Sequence, residues 1–415
     1  MEFTVTPQLP SNGLTVAELF CGGGLMAVGL KAAGYTLTWA NDFDKNAAKA
    51  YAANIGDHVI CGDITSDSVQ STIPDADIFA GGPPCQDYSV AGSGAGENGE
   101  RGRLVWTYLS IIERKQPKAF VFENVKGLVL KRHKQTFDAL LERFDSIGYN
   151  VSWRLINAWD YGVAQKRERV FIVGIRKDLG FTFEFPEPEA SGYRTQVLRD
   201  VIGDLPEPGT PLSNAQQAYL DRNPASVAKN RPVEMTEPSR TLPGVLAKGV
   251  PYGLFYPENH VGSKATSIPP SKHDTPSALD EPSKTIVAST TGGKNAFYPE
   301  NHDEKSFWTP KREYTYDQAN RVQSMDAASK NTIPAHHNSG QPIHQTQAPR
   351  RFTVRECLRI QSAPDSYVLP ADISLSAQYR IVGNGVASRV AYVIGNALAT
   401  QLNAILANSN ENEAV

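Results

Sequence analysis

Cys85 is the residue of this chain whose surroundings most directly suggest chemistry. It closes the run Gly81-Gly-Pro-Pro-Cys85, just beyond an apolar stretch, and continues into Gln86-Asp-Tyr-Ser89. Two glycines followed by two prolines make a rigid, exposed turn. A thiol held at such a turn can lose its proton and attack an electrophilic carbon. The other cysteines, Cys21, Cys61 and Cys357, read as the small buried hydrophobes that lone cysteines usually are. Further on, Glu123-Asn124 terminates the wholly apolar Ala119-Phe-Val-Phe122. Burial beside such a wall disfavours the charged carboxylate and suits a proton donor; a solvated strand-end glutamate is the plain alternative. Gln165-Lys-Arg-Glu-Arg169 stands immediately before another apolar run. Charge runs are ordinarily solvated faces, yet this one lies where Arg167 and Arg169 can offer planar donors to an anion or a base edge.

A second group of residues points to a bound nucleoside. Phe20-Cys-Gly-Gly-Gly-Leu-Met-Ala27 follows one apolar run and opens a helix-like one. Glycines there let a ligand approach the backbone, and a helix start offers free N–H donors. Gly22-x-Gly24-x-x-Ala27 fits the dinucleotide fingerprint, with Asp42 placed as the ribose acceptor. These residues alone indicate an adenosine-containing cofactor, and NAD and S-adenosylmethionine both remain open. Asp63, in Cys61-Gly-Asp-Ile64, falls where a third strand should end; a turn or helix-cap aspartate is the competing reading.

All of these residues sit at the ends of apolar runs. Residues 14–20, 36–41, 77–81, 119–124 and 170–175 predict buried strands, and 25–34, 44–54, 104–116 and 133–147 predict helices between them. Such alternation predicts an α/β fold with a doubly wound, mostly parallel sheet, whose ligands bind at the carboxyl ends of the strands. From about 177 to 350 the texture becomes rich in Pro, Gly, Ser, Thr, Asn and His. Near-repeats appear there: Thr236-Glu-Pro-Ser-Arg-Thr-Leu242, Asp280-Glu-Pro-Ser-Lys-Thr-Ile286 and a looser copy ending at Ile333, with Phe255-Tyr-Pro-Glu-Asn-His260 recurring at 297–302. These are either duplicated turn units or a substrate-facing surface. Beyond 350, residues 353–361 and 386–404 predict amphipathic helices, and the polar tail from Asn408 predicts a frayed end.

With 41 basic against 44 acidic side chains and a formal charge of −3, the chain lacks a histone-like basic coat, although a local basic cleft can still hold nucleic acid. No apolar run approaches the roughly 18 residues of a membrane span. The N-terminus lacks a signal-peptide pattern. Four scattered cysteines make neither a disulfide framework nor a zinc site. The expectation is a protein of the reducing cytoplasm without a metal or a membrane partner.

Taken together the motifs resemble those of the cytosine-C5 DNA methyltransferases. Phe20-x-Gly22-x-Gly24, Pro84-Cys85-Gln86, Glu123-Asn124-Val125, Gln165-x-Arg167-x-Arg169, Arg355-Glu356-Cys-x-Arg359-x-Gln361 and Gly383-Asn384-Gly-Val386 occur in that family's order. The resemblance covers roughly 14–176 and 350–400. It implies a Rossmann-like methyltransferase with a smaller, loop-rich target-recognition domain: 1–176 catalytic and cofactor-binding, 177–350 target recognition, 351–415 the return of the chain. It also implies that Cys85 adds to carbon 6 of a flipped-out cytosine while Glu123 protonates ring nitrogen 3. Asn124 would position the loop, and Arg167 and Arg169 would hold the base carbonyl and its neighbours. S-adenosylmethionine is the implied methyl donor, with Phe20, Gly22 and Gly24 about its methionine part. Asp42 falls at the ribose, Phe43 beside the adenine, and Asp63 with Ile64 at the adenine edge. Pro84, Leu104, Asn384, Gly385 and Val386 complete that pocket, while Gln86, Ser89 and Gln165 fall on DNA. Many relatives keep a glycine where this chain has Leu25. The implied partner is double-stranded DNA, with the enzyme a monomer that either accompanies a restriction endonuclease acting on the same site or stands as an orphan methyltransferase. Methylation of a tRNA cytosine is disfavoured by the length of 177–350. An inactive DNA binder would be expected to have lost Cys85, Glu123 or an arginine of the 165–169 group, and an NAD oxidoreductase leaves Pro84-Cys85-Gln86 unexplained.

Overall fold

The structure is a computed structural model and describes residues 3–4, 6–84, 102–205, 233, 235–242, 254–255 and 350–413. The chain divides into two compact units, Met1–Thr210 with Val233–Lys248 and Arg351–Val415, and Pro211–Pro232 with Gly249–Arg350. Cys85, Gln86 and Ser89 lie outside the described residues, as do the repeats of the middle segment apart from 236–242 and Phe255.

The first unit opens with β1 (Thr15–Leu19), α1 (Leu25–Ala32), β2 (Thr36–Asp42), α2 (Lys45–Asn54), β3 (Val59–Cys61), the short α3 (Asp67–Gln70) and β4 (Ile78–Gly81). It continues with α4 (Gly102–Lys115), β5 (Ala119–Val125), α5 (Lys134–Ser146), β6 (Tyr149–Asn157), β7 (Gln165–Lys166), β8 (Glu168–Arg176), α6 (Leu198–Ile202) and β9 (Ser239–Arg240). After 350 come α7 (Val354–Ile360), α8 (Leu375–Asn384) and α9 (Ser388–Glu413). Seven strands make one sheet in the order β3-β2-β1-β4-β5-β8-β6. The strands from β3 to β5 run parallel; β8 is antiparallel to β5, and β6 to β8.

Continuous apolar runs place β4 and the start of β5 in mid-sheet, where both faces are covered. On one face Val16, Ile78, Ala80 and Val121 meet Met26 and Leu30 of α1 and Val390, Ile394 and Leu398 of α9. On the other, Leu19, Phe79, Phe120 and Phe122 meet Val105, Leu109 and Ile112 of α4 and Phe137, Leu140 and Phe144 of α5. Phe120 and Phe144 stack with ring centres 4.2 Å apart. The doubly wound, mostly parallel sheet is thus as expected. The elements not anticipated include β6, at the sheet edge, and α8, besides the short α3, β7, α6 and β9. The stretch Leu375–Asn408 is long and apolar enough to cross a membrane by composition, contrary to the sequence expectation. Here it is broken at Gly385 into α8 and α9, and Val390, Ile394, Leu398 and Leu402 are buried against the sheet and α1.

Candidate active site

The register of the sheet gathers the strand ends. Leu19 pairs with Asn41 on one side and Gly81 on the other, Gly81 pairs with Phe122, and Asp42 with Cys61. Phe20, Asp42, Gly62, Gly82 and Glu123 therefore line up along one edge, Glu123 still paired with Phe171 of β8. The strand order reverses between β1 and β4, which opens a crevice at that edge. The loop after β1 lines it with an unusual backbone: Phe20, Gly22 and Gly24 have φ of 55°, 54° and 83°. That conformation is free for Gly22 and Gly24 but costs about 1–2 kcal/mol at Phe20. Other contacts hold it in place. The Asp42 carboxylate accepts the Gly22 and Asp44 N–H groups, both at 2.8 Å, and the Tyr367 hydroxyl donates to the Gly23 carbonyl at 2.6 Å.

A cavity of about 810 Å³ fills the crevice, within the ~300–1,000 Å³ usual for small-molecule sites. The loop contributes Phe20 and Gly22, and β2 contributes Asp42. Phe43, 78 % exposed, stands at its open side. Asp63 and Ile64 line it too. The Asp63 carboxylate also accepts the Thr65 N–H and hydroxyl at 2.8 Å each, so the turn reading and the cavity reading hold together. Pro84, Leu104 and then Asn384, Gly385 and Val386 complete the lining. Leu25 sits directly against Gly385, where any side chain would overlap it, so the bulk of Leu25 is matched by the absence of a Cβ opposite.

Glu18 also lines this cavity and was missed from the sequence. It is buried in β1, and its Oε2 has no hydrogen-bond partner among the described residues. Burial, then the nearby charge of Asp42, pushes its carboxyl well above the usual range. The available signal was a lone charge inside the apolar strand Leu14-Thr-Val-Ala-Glu-Leu-Phe20.

Glu123 and Arg169 form a buried ion pair in the described wall. Glu123 is 8 % exposed, and its Oε1 is 3.1 Å from Arg169 Nε. Burial raises the Glu123 carboxyl, while the positive charges of Arg169 and Arg167 pull it down. The net direction is upward, toward a group that holds a proton more readily than an ordinary glutamate. Gly82 makes room for it, since a Cβ there would lie 2.7 Å from Glu123 Oε2. Asn124 Nδ2 donates to the Pro83 carbonyl at 3.1 Å and pins the two-proline turn that leads to Cys85.

Three expected site residues are placed elsewhere. Gly24 caps the start of α1 and does not line the cavity; a Cβ there would lie 2.9 Å from Tyr51 and Ile55. Arg167 is 2 % exposed, and its guanidinium donates to the carbonyls of Gly385 (2.8 Å), Gly383 (3.1 Å) and Leu242 (3.3 Å) instead of opening on the cavity beside Arg169. Gln165 is 0 % exposed, so it offers nothing to DNA. The reason is the break between β7 and β8: Gln165 and Lys166 pair with Ser239 and Arg240, turning Gln165 and Arg167 into the interior while Arg169 stays on the main sheet.

The assembled edge carries a raised carboxyl, a paired arginine and the Pro83-Pro84 turn that precedes Cys85 in the sequence, beside a cavity with acidic groups and an open glycine backbone. Comparison with known proteins agrees with that chemistry. Residues 14–400 match the family model of the C-5 cytosine-specific DNA methylases. The chain is 32% identical over 397 residues to the Type II methyltransferase M.MthTI of Methanothermobacter thermautotrophicus, covering 95% of this chain and 99% of that protein. It is 32% identical over 393 residues to M.NgoPII of Neisseria gonorrhoeae, covering 94% and 97%. The fold matches that of the S. pombe Dnmt2 methyltransferase with a TM-score of 0.57 at 16% identity, over 94% of this chain and 99% of that one. A putative DNA modification methyltransferase from an E. coli prophage gives 0.54 at 19% identity, over 94% and 100%. On the extent of the family match, the chain belongs to the C-5 cytosine-specific DNA methylases and is a DNA (cytosine-5-)-methyltransferase.

Proposed function

We propose that the enzyme methylates carbon 5 of a cytosine swung out of duplex DNA, through a covalent bond between Cys85 and carbon 6, with S-adenosylmethionine as donor. The observation that carries this reading is the buried Glu123–Arg169 pair beside the Pro83-Pro84 turn, on the rim of a cavity that suits an adenosyl sulfonium. The cavity fits that group on its own chemistry. Glu18 Oε2 is a buried acceptor without a partner among the described residues, suited to the ammonium. Asp42 offers a carboxylate to the ribose hydroxyls, Phe43 an exposed ring to the adenine, and the space beside Gly22 is open. Phe20, Asp63, Ile64, Pro84, Leu104 and Asn384–Val386 would enclose the rest.

Carbon 5 of cytosine is too electron-poor to attack unaided. The Cys85 thiolate adds to carbon 6 while Glu123 gives its proton to ring nitrogen 3, and the displaced electron pair enriches carbon 5. Arg169 holds the base carbonyl and keeps Glu123 in place. When bound, S-adenosylmethionine supplies the electrophilic methyl carbon that carbon 5 takes, leaving as a neutral thioether. Loss of the carbon 5 proton to a base then re-forms the double bond and expels the Cys85 thiolate, while ring nitrogen 3 returns its proton to the Glu123 carboxylate. Inside a duplex, ring nitrogen 3 is base-paired and the faces of carbons 5 and 6 are covered by stacked neighbours, which requires flipping.

Within 177–350, the second unit would carry the loops that read the target sequence. Its relatives are Type II methyltransferases, which supports a role beside a restriction endonuclease of the same specificity over that of an orphan enzyme; a monomer acting on chromosomal DNA in the cytoplasm completes the proposal. The test is transfer of labelled methyl from S-adenosylmethionine to duplex DNA, with tRNA assayed alongside. Incorporation into DNA, its loss in Cys85→Ala, and a denaturation-resistant adduct with a 5-fluorocytosine duplex are the expected results. Folded protein that gives no adduct in the presence of the donor would overturn the covalent route.

A further inference from the structure

We propose that Arg167, completed by Gln361, is a positioning residue that clamps two walls of the cofactor cavity together and never touches the cytosine. The inference rests on the reading of that cavity as the S-adenosylmethionine site. Its first support is where the guanidinium goes. Gly383 and Gly385 lie at the C-terminal end of α8, where a helix leaves its last carbonyls without intrahelical partners and presents a partial negative charge. Arg167 Nη2 donates to both carbonyls, and Nη1 donates to Leu242. Leu242 and its neighbour Thr241 line one side of the cavity, while Asn384, Gly385 and Val386 line another. A single planar cation thus joins two segments distant in sequence, and it fixes the turn on which Asn384 faces the cavity.

Gln361 extends the clamp. Its Nε2 donates to the carbonyl of Val382, next to Gly383, at 3.1 Å, and its backbone carbonyl accepts the N–H of Ser388 at the start of α9. Arg167 and Gln361 thus hold the last carbonyls of α8, while Ser388 and Arg389 fasten the start of α9 to Leu25 and Tyr161. Several buried polar atoms here have no partner among the described residues: Arg167 Nε, Gln361 Oε1, and both amide atoms of Gln165. Buried amides are seldom left unpaired, and a polar interior of this kind is normally completed by internal water. An apolar replacement would strand three carbonyls. A lysine could satisfy one or two of them but cannot span the two walls with a planar fork.

Arg169 has the opposite setting. It lines the cavity and pairs with Glu123, so the two arginines should separate in a binding experiment. The variants are Arg167→Met, Arg167→Lys, Gln361→Leu and Arg169→Met, in the full chain. Each is titrated with S-adenosylmethionine by calorimetry and then assayed, with the donor saturating, for adduct formation on a 5-fluorocytosine duplex. Arg167→Met is expected to raise the cofactor Kd at least tenfold, Arg167→Lys to recover part of that loss, and Gln361→Leu to raise Kd about threefold. At saturating cofactor all three should still form adduct. Arg169→Met should bind cofactor within threefold of the parent and form no adduct. If Arg167→Met does not fold, Arg167→Lys and Gln361→Leu carry the same comparison. Cofactor Kd within twofold of the parent in the folded Arg167 and Gln361 variants overturns the proposal. So does loss of adduct in Arg167→Lys with its cofactor Kd unchanged. A parent protein that binds no S-adenosylmethionine overturns both this proposal and the cavity reading beneath it, and the parent titration distinguishes that failure from the others.

Discussion

Glu123 owes its usefulness to two opposed influences on one carboxyl. Burial raises its pKa and Arg169, then Arg167, lower it, with burial the larger. As the proton donor it must be in the acid form, so activity should decline as the pH rises through its raised value. Glu123→Gln keeps the shape and removes the titration. It is expected to lower kcat by about 10²–10⁴ and to abolish the Glu123-dependent part of the pH–rate profile; an unchanged profile would refute the assignment. Glu18 can be tested the same way. Its folded pKa is raised by burial and by Asp42. The stability it contributes is therefore complete below the unfolded carboxylate range and is lost as the pH climbs through the folded value. Glu18→Gln should be more stable than the parent above that window in denaturant titrations, with the gap closing in acid, while cofactor affinity falls about tenfold, near 1.4 kcal/mol. Equal stability at all pH values would show that the carboxylate is not buried as described. Glu123 and Asp42 were legible because each ends an apolar strand. Glu18 hid inside one, and Arg167 could not be told from Arg169 because only the break between β7 and β8 turns one inward.

At the level of elements, the crossing of α1 with α9 covers one face of the sheet beneath the loop that lines the cavity. Gly29 is the contact point: a Cβ there would overlap the Ser388 carbonyl and lie 2.7 Å from Ala391 Cβ and Tyr392 N. Ser388 in turn donates from its hydroxyl to Leu25 O at 2.9 Å. Gly29→Val should destabilise the fold by about 1–3 kcal/mol, measured as a lower denaturant midpoint. Gly127→Ala, where a Cβ would meet only Val125 at 3.6 Å, should leave the midpoint within about 0.5 kcal/mol of the parent. Equal effects at the two positions would mean that the helices do not approach as closely as described. Nothing local marks Gly29, since its role depends on a partner helix far along the chain. The long apolar runs of β1, β4, β5 and β8 were readable because mid-sheet strands are covered on both faces, and only the second half of β2 is buried in this way. β6 was not, for a different reason. It lies on the edge and alternates Tyr149, Val151, Trp153 and Leu155 with Asn150, Ser152 and Arg154, a period-two pattern without a continuous apolar run. α8 escaped because its helix is framed by turns, and its apolar side chains Ala377 and Ile381 pack on Ala47 and Ala50 of α2.

Across the whole molecule, the two ends of the chain build one core. Leu14 and Val16 share a cluster with Val390, Ile394, Leu398 and Leu402. The hydroxyl of Tyr35 donates to Gly395 O at 2.9 Å, and Asn403 Nδ2 donates to Asn12 O at 2.9 Å. The Tyr367 hydroxyl reaches Gly23 O, so even the glycine loop is held by a residue beyond 350. Only the order of motifs, with the Gly383-Asn384 pair at the far end, made this return legible from the residues alone. A chain that stops after 350 keeps every strand of the main sheet but loses α9 from one face, the Tyr367 contact to the loop, and the Asn384–Val386 part of the cavity. With one face of the sheet exposed, it should lose its cooperative unfolding transition and release no binding heat with S-adenosylmethionine. The fragment is to be compared with the full chain by denaturant titration and calorimetry. A sharp transition together with retained affinity would mean that the C-terminal helices are dispensable to the cavity, and that the first unit is complete without its returning segment.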